Sequence, residues 1–95
     1  MTRLSRNQVM QRLARLNGWS LDGDAIRKQY TFPSFADAIA FVNRLAPEAD
    51  KADHHPDILV SYKRVTLTYS THSEGGLTAK DFAGAEAADA AAAVR

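Results

Sequence analysis

The stretch that decides the fold is DILVSYKRVTLTYSTH, residues 57–72. Two runs within it are rich in β-branched and aromatic residues, as strands are, and Lys63-Arg64 between them predicts a two-residue turn. That turn pairs Tyr62 with Val65 and gives the hairpin one apolar face and one mostly polar face. We therefore expect two antiparallel strands here, with Tyr62 on the core face in a structural role.

An earlier hairpin is predicted around the turn-like Asp22-Gly23-Asp24. Its first strand contains Trp19, and its second strand spans residues 25–32. Alternate residues of the second strand, from Ile26 to Phe32, share one face. Lys28 is the only charged residue on that otherwise apolar face, so this strand fits its pattern imperfectly.

Apolar residues at helical spacing predict two helices. Ser5 and Gln8 have the spacing of a capping box, so the first helix begins at Ser5, and Asn17-Gly18 ends it. The second helix begins after Ser34, and Pro47 is expected to kink or end it, because proline lacks an N–H and crowds the preceding turn. One broad apolar face is predicted along the second helix, with Phe35, Ile39, Val42 and Ala46 on one stripe and Phe41 and Leu45 widening it.

A third helix is predicted over Ala79–Val94, where Thr78 and Asp81 repeat the capping-box spacing. Eight of the eleven residues from Ala83 to Ala93 are alanine, which suits close helix packing. The element order α-β-β-α-β-β-α predicts an α+β fold, a four-stranded antiparallel sheet with three helices packed on one face. Residues 1–95 are expected to form a single domain.

Composition excludes several classes of function. The chain has 95 residues, a formal net charge of +1 and no cysteine. The low charge gives little neutralisation of phosphates, so no nucleic-acid partner is expected, and no apolar run approaches the roughly 20 residues that span a bilayer. Without cysteine there is no disulfide or thiol chemistry, and a cytoplasmic location is expected. A core this small favours a homo-oligomer.

The predicted hairpin brings distant histidines together. His55 lies opposite His72 at one end, although they are 17 positions apart. His54 has the opposite parity and joins them only if the chain leaves strand geometry near Pro56. Imidazole titrates near neutral pH, so one histidine can donate a proton while another accepts one. The arrangement therefore favours acid–base catalysis.

Two other chemistries use histidine. A set of three histidines is a known zinc ligand shell, but the chain has no H-x-x-x-H pair, and neighbouring His54 and His55 diverge on a regular backbone. No metal is therefore expected. Nucleophilic catalysis is disfavoured, because the hydroxyl residues that flank His72 lie in no G-x-S-x-G elbow.

The residues around these histidines resemble the pterin-4a-carbinolamine dehydratases. The resemblance begins with DKADHHP, residues 50–56, and continues with Tyr62, His72 and Asp81 at that family's spacing. It extends along the chain through three further matches: Gly18-Trp19, the Lys28, Tyr30 and Phe32 pattern, and Leu77-Thr78.

This resemblance implies dehydration of 4a-hydroxytetrahydropterin to quinonoid dihydropterin and water, the step that recycles the pterin of aromatic amino acid hydroxylases. The pterin is then the substrate, and no cofactor is expected. The departing hydroxyl needs a proton and the N5–H must lose one, which suits paired imidazoles. The resemblance further implies a homodimer or homotetramer and a functional link to such a hydroxylase.

The family's roles carry over to matching positions. His54 and His72 are the acid–base candidates, His55 binds or orients the pterin, and Asp81 holds His72 in its tautomer and orientation. Asp81 can equally be only a helix cap, since it has the spacing of one.

Two more residues are expected near the pterin, Trp19 and Asp50. Trp19 is as readily explained as a core residue, and Asp50 as a solvated helix residue in a position where the family often has glutamate. A different function, non-catalytic binding or assembly, or coactivation of transcription, is carried by other proteins of this fold. The joint presence of three histidines and Asp81 favours the enzyme.

Overall fold

The structure, a computed structural model, describes residues 3–94. Its helices are α1 (Arg6–Leu13), α2 (Phe35–Ala52) and α3 (Ala79–Ala93), and its strands are β1 (Ser20–Asp22), β2 (Ala25–Thr31), β3 (Asp57–Ser61) and β4 (Arg64–Tyr69). A 3-10 helix, His72–Glu74, follows β4. The strands form one antiparallel sheet in the order β1-β2-β4-β3. The predicted element order and α+β class are confirmed.

The core lies between the helices and one face of the sheet. Ile26, Tyr30, Leu67 and Tyr69 point towards the helices and are buried, as the alternation along β2 and β4 predicts. All three helices contribute to this apolar cluster, through Val9, Phe41, Leu45, Phe82 and Ala88 among others. We call the opposite face, which carries residues such as Arg27 and Thr68, the outer face.

The predicted register of the β3–β4 hairpin is wrong by two residues. Ser61 pairs with Arg64, so the turn is Tyr62-Lys63, and Tyr62 adopts a left-handed backbone with φ 55°. Tyr62 is therefore 69% exposed and does not lie on the core face. Because the shift is an even number of residues, every other side chain keeps its predicted face.

Helix α2 differs from its prediction at Pro47 and in its buried face. It continues through Pro47 to Ala52 as one helix, because packing on both sides of the proline outweighs the lost backbone hydrogen bond. Phe41 and Leu45, predicted at the margin of the apolar face, lie at the centre of the buried one, together with Ala38 and Ala49. Of the predicted stripe, Phe35 is 51% exposed.

Helix α1 begins as predicted and ends early. The capping box of Ser5 and Gln8 is present, but the helix ends at Leu13, and turns fill the chain as far as Gly18. Val9 is its one buried residue. Within residues 3–94 no helix is long and apolar enough to cross a membrane.

A cluster around Asp89 explains the charged residue in the apolar pattern of β2. The Lys28 ammonium lies 2.9 Å from the Asp89 carboxylate and donates to the carbonyl oxygen of Asn17. The indole Nε1 of Trp19 and the hydroxyl of Tyr30 donate to the same carboxylate. Burial, followed by the hydrogen bond to Asp89, raises the pKa of Tyr30. This cluster joins α3 to the first hairpin.

Helix α3 packs closely on the sheet at a glycine. A Cβ atom at Gly84 would lie 2.5 Å from Cε1 of Tyr69, closer than real Cβ contacts. Only glycine lets the Tyr69 ring lie against the helix backbone in this position. The close packing that the alanine-rich sequence predicts is therefore observed here.

Candidate active site

The chain between α2 and β3 sends two neighbouring histidines in different directions. Helix α2 ends at Ala52, and its C-cap residue Asp53 has left-handed dihedral angles, φ 51° and ψ 42°. Residues 54–56 are neither helix nor strand, as the sequence required for His54 to depart from strand parity. His54 turns towards the helix side of the sheet, where its ring stacks on Tyr69. His55 lies at a cavity on the outer face.

This cavity, which we call the histidine cavity, has a volume of about 300 Å³. It lies where β3 begins and β4 ends, beside the turn of the first hairpin. Its lining residues are Asp24, Ala25, His55, Asp57, Thr68, Ser70 and His72. The Ser70 hydroxyl donates to the carbonyl oxygen of Asp24 at 2.9 Å and so ties the hairpin turn to the cavity wall. The predicted meeting of His55 and His72 is therefore found, across a cavity and not as paired strand residues.

His55 is held by the last turn of α2. Its Nε2 lies 2.8 Å from a carboxylate oxygen of Asp50. A carboxylate only accepts hydrogen bonds, so Nε2 carries the proton and Nδ1 is the free ring nitrogen. The pair is exposed, at 57% for His55 and 78% for Asp50, so it orients the ring more than it stabilises the fold.

His72 opens the short 3-10 helix after β4. Its backbone carbonyl accepts from the amide of Gly75, and the bridge between Thr71 and Gly76 closes the loop around it. The side chain is exposed at the mouth of the histidine cavity. His72 is thus fixed through its backbone, and its imidazole faces the space that a ligand would fill.

His54 forms a buried pair with Asp81. Nε2 of His54 lies 2.6 Å from Oδ1 of Asp81, with the imidazole 12% exposed and the carboxylate fully buried. The expectation that Asp81 holds His72 is therefore wrong: its carboxylate holds His54, because the first turn of α3 faces the helix side of the sheet. Burial, and then the Asp81 charge, raise the pKa of the neighbouring Tyr69 to about 12.

Two buried threonines complete the surroundings of Asp81. Oδ2 accepts from the Thr71 hydroxyl at 2.8 Å and from the Thr78 amide at 2.9 Å. The two threonine hydroxyls are themselves 2.9 Å apart. The predicted capping role of Asp81 is confirmed, since Thr78 and Asp81 form a complete capping box on α3.

The two remaining predicted site residues, Asp50 and Trp19, do not line the histidine cavity. Asp50 contacts its rim through His55. Trp19 is 7% exposed, packs edge-on against Tyr30 and donates to Asp89, which is the core role the sequence also allowed. A pterin contact for Trp19 stays a prediction.

Sequence reasoning missed Thr71, Tyr69 and the acidic cavity residues Asp24 and Asp57. The parity of β4 could have placed Asp57 and Thr68 on one face, but the approach of the first hairpin's turn depends on tertiary structure. Within residues 3–94 no group of three or more histidine or carboxylate side chains is placed to hold a metal ion.

Comparison with known proteins gives a consistent result. A sequence profile described as pterin 4 alpha carbinolamine dehydratase matches residues 2–91. A protein from Mycobacteroides abscessus, named "Putative pterin-4-alpha-carbinolamine dehydratase", is 47% identical over 89 residues, which are 94% of this chain and 95% of that protein. One of the same name from Roseiflexus sp. strain RS-1 is 51% identical over 81 residues, covering 85% and 87% of the two chains.

Solved structures share this fold. The crystal structure of a protein titled transcriptional coactivator/pterin dehydratase, from Brucella melitensis, superposes with a TM-score of 0.92 at 38% identity, covering 96% of this chain and 99% of that one. A pterin dehydratase-like protein described as a RuBisCO assembly factor in the alpha-carboxysome shares the fold, with a TM-score of 0.67 at 24% identity over 81% and 89% of the two chains. The profile match over almost the whole chain, together with these relatives, shows that this chain belongs to the pterin-4a-carbinolamine dehydratase family.

Proposed function

We propose that this protein dehydrates 4a-hydroxytetrahydropterin to quinonoid dihydropterin and water. The observation that carries the proposal is that His55 and His72, from distant parts of the sequence, line one cavity of about 300 Å³. That volume is at the lower end of the range for small-molecule sites, and it suits a bicyclic substrate in an open cleft.

The reaction needs one proton delivered and one removed. The C4a–O bond breaks, its electron pair leaves with the oxygen, and a protonated imidazole supplies the proton that completes water. The N5–H bond gives its electrons to the new C4a=N5 double bond, and a neutral imidazole takes that proton. The two protons balance, so the pair returns to its starting charge after transfer between the imidazoles or with solvent. His55 can act through the Nδ1 atom that its Asp50 contact leaves free.

His54 fits a supporting role in the same reaction. Its Nε2–H is directed at Asp81, so Nδ1 is the ring nitrogen left for exchange of a proton. His54 lies on the helix side of the sheet and does not line the histidine cavity, so we propose that it supports the site from beside it through Asp81, while His55 and His72 contact the pterin.

The proposal extends to the cellular context of the enzyme. The pterin is the substrate and not a bound cofactor, and an aromatic amino acid hydroxylase would supply it. A cytoplasmic homodimer or homotetramer is expected, because β3 is an edge strand whose free backbone groups can pair with another chain.

The test is the dehydration rate of enzymatically generated 4a-hydroxytetrahydropterin, with EDTA present and the spontaneous rate subtracted. We expect acceleration by the wild type and a loss of about 100-fold in both His72→Ala and His55→Ala, the range for a lost acid or base. Ser73→Ala is the matched control, because Ser73 is exposed in the same 3-10 helix as His72. It should retain full activity.

Two results would contradict the proposal. If the folded wild type gives no acceleration, the dehydratase proposal fails, and non-catalytic binding becomes the better account of the family resemblance. If acceleration survives both histidine substitutions, the histidine cavity is not the place of reaction.

A further inference from the structure

The groups around Asp81 form a one-way chain of hydrogen bonds. The Thr71 hydroxyl has one hydrogen, which it donates to Oδ2 of Asp81 at 2.8 Å. Its contact with the Thr78 hydroxyl at 2.9 Å must then use the Thr78 hydrogen. The Thr78 oxygen accepts in turn from the amide of Lys80. Every hydroxyl hydrogen in the chain therefore has one fixed direction, towards the carboxylate.

This chain of hydrogen bonds is closed to solvent. Thr78 and Asp81 are fully buried and Thr71 is 8% exposed, so water cannot readily replace a lost partner. Of the titratable groups nearby, His54 contacts Asp81 and stacks on Tyr69 of β4, and Glu48 and Lys80 line the small cavity between α2 and α3 beside these two rings. None of these donates to Oδ2, which is satisfied by Thr71 and Thr78 alone among the described residues.

Thr71 also connects two parts of the candidate site. Its side chain contacts the carboxylate that holds His54, and its backbone forms both hydrogen bonds of the bridge to Gly76 that closes the loop around His72. Thr71 immediately precedes His72, so a shift at Thr71 moves the start of the 3-10 helix. The two histidines lie on different sides of the sheet, and this residue links them physically.

We propose that Thr71, supported by Thr78, is a positioning residue that fixes the Asp81 carboxylate for His54 and the 3-10 helix for His72. With Oδ2 occupied by Thr71 and the Thr78 amide, Asp81 can present only Oδ1 to the imidazole, which holds His54 in the Nε2–H tautomer. The structural part stands on this geometry alone, and the catalytic part rests on the proposed dehydratase function.

The first experiment measures structure and not turnover. Nitrogen NMR of ¹⁵N-histidine-labelled protein distinguishes the two tautomers of His54. We expect the Nε2–H form in the wild type and in Thr71→Ser, which keeps the hydroxyl. In Thr71→Val, which keeps the branched shape without it, the Asp81 carboxylate is free to turn away from the imidazole, so we expect a mixture of tautomers. Thr66→Val is the matched control, since Thr66 is a buried β4 threonine on the outer face that contacts Gln29. It should leave His54 unchanged.

The second experiment measures the dehydration rate in the same variants. Thr71→Val should lower kcat about tenfold with KM changed less than about twofold, the size expected for a lost hydrogen bond to a charged group. Thr71→Ser should restore kcat. A wild type without activity would remove the dehydratase proposal and leave the tautomer result standing.

Two outcomes overturn the positioning role. One is a Thr71→Val protein with wild-type His54 nitrogen shifts; the other is a Thr66→Val protein that changes them equally. If Thr71→Val does not fold, the wild type itself provides the test. In the buried hydrogen-bond chain, the hydroxyl protons of Thr71 and Thr78 should exchange with water slowly enough to be observed by proton NMR. Rapid exchange of both would contradict it.

Discussion

Oδ1 of Asp81 and Nε2 of His54 are separated by 2.6 Å, although the two residues belong to the start of α3 and to the loop after α2. Asp81 is fully buried, so its charge has no water to interact with, and its Oδ1 accepts from the Nε2–H of His54. The same carboxylate caps α3. One side chain therefore serves both the stability of the helix and the orientation of a histidine.

Asp81→Asn separates these two roles only in part, and we expect it to damage both. An amide of equal size must turn its NH₂ group towards either His54 Nε2 or the two donors at Oδ2, so a donor faces a donor unless His54 changes to the Nδ1–H tautomer, which removes its wild-type orientation. Stability should fall by about 1–3 kcal/mol, measured by urea denaturation, and the dehydration rate by about tenfold or more. Glu86→Gln, on the exposed side of the same helix, is the control. An unchanged rate in Asp81→Asn would refute the role given to this pair.

Tyr69 should make stability fall with pH in the alkaline range. Its pKa is raised from 10.0 to about 12 in the folded protein by burial and then by Asp81. The unfolded chain therefore releases this proton first, so the stabilisation is complete below about pH 10 and is lost as the pH rises towards 12. Denaturation midpoints between pH 9 and 11.5 should fall less steeply in Tyr69→Phe than in the wild type. Exposed Tyr62→Phe should follow the wild-type slope, and equal slopes for all three would contradict the prediction.

Gly84→Ala should destabilise the protein despite the better helix propensity of alanine. The added Cβ would lie 2.5 Å from Cε1 and 2.8 Å from Cζ of Tyr69, so the ring or the helix must move. Overpacking of this kind costs about 1–3 kcal/mol, against a propensity gain of at most about 1 kcal/mol. Thermal denaturation measures the net effect. Tyr69→Leu removes the obstructing atoms, so Gly84→Ala should be less harmful in that background, and a stabilised single variant would show that no close contact exists.

Pro47→Ala should stabilise the protein, because α2 runs through this exposed position without interruption. Alanine supplies the missing amide hydrogen and has the higher helix propensity, while proline retains a smaller advantage by restricting the unfolded chain. The expected gain is about 1 kcal/mol in chemical denaturation. Ala46→Gly, the neighbouring exposed position, should lose about the same amount. A destabilised Pro47→Ala protein would mean that the proline supports a feature of α2 which its helical contacts do not explain.

Asp89→Ala should loosen the contact between α3 and the first hairpin. It leaves the Lys28 ammonium, 19% exposed, and the Trp19 indole without their shared acceptor. A loss of about 1–3 kcal/mol is expected, with a red shift of Trp19 fluorescence as the indole gains water. Lys28→Met in the same background should recover part of the loss, because it removes the unpaired charge. If the double variant is no more stable than the single one, Lys28 does not depend on Asp89.

The sheet was predictable because its information is local. Alternation in β2 and β4 identifies the buried faces, and capping pairs such as Ser5 with Gln8 identify the helix starts. The position of the turn at Tyr62 could not be predicted, because no glycine or asparagine marks its left-handed residue. At Pro47 the sequence does carry a strong local signal, which predicts a kink or the end of the helix. Packing at both ends of α2 overrides that signal, and the helix continues.

The candidate site was likewise predictable where it depends on local pairing and not where it depends on how distant elements pack. Hairpin pairing brings His55 near His72 even with the turn misplaced, since an even shift preserves the faces. The partner of Asp81 was assigned to the wrong histidine, because the choice depends on how α3 lies across the sheet. That placement comes from contacts far apart in sequence, at Gly84 and at Asp89.

A helix made largely of alanine has almost the same surface after a shift along its axis. Several positions of such a helix on the sheet would therefore have nearly the same energy, a degeneracy that other residues must remove. Three side-chain positions remove that degeneracy in α3: the carboxylates at 81 and 89, and the missing side chain at 84. A slip of one turn, about 5.4 Å, would take all three away from their partners at once. The placement of α3 on the sheet therefore depends on these few positions, and mutational tolerance should be wide at its exposed alanines, such as Ala83 and Ala90, and narrow at the three.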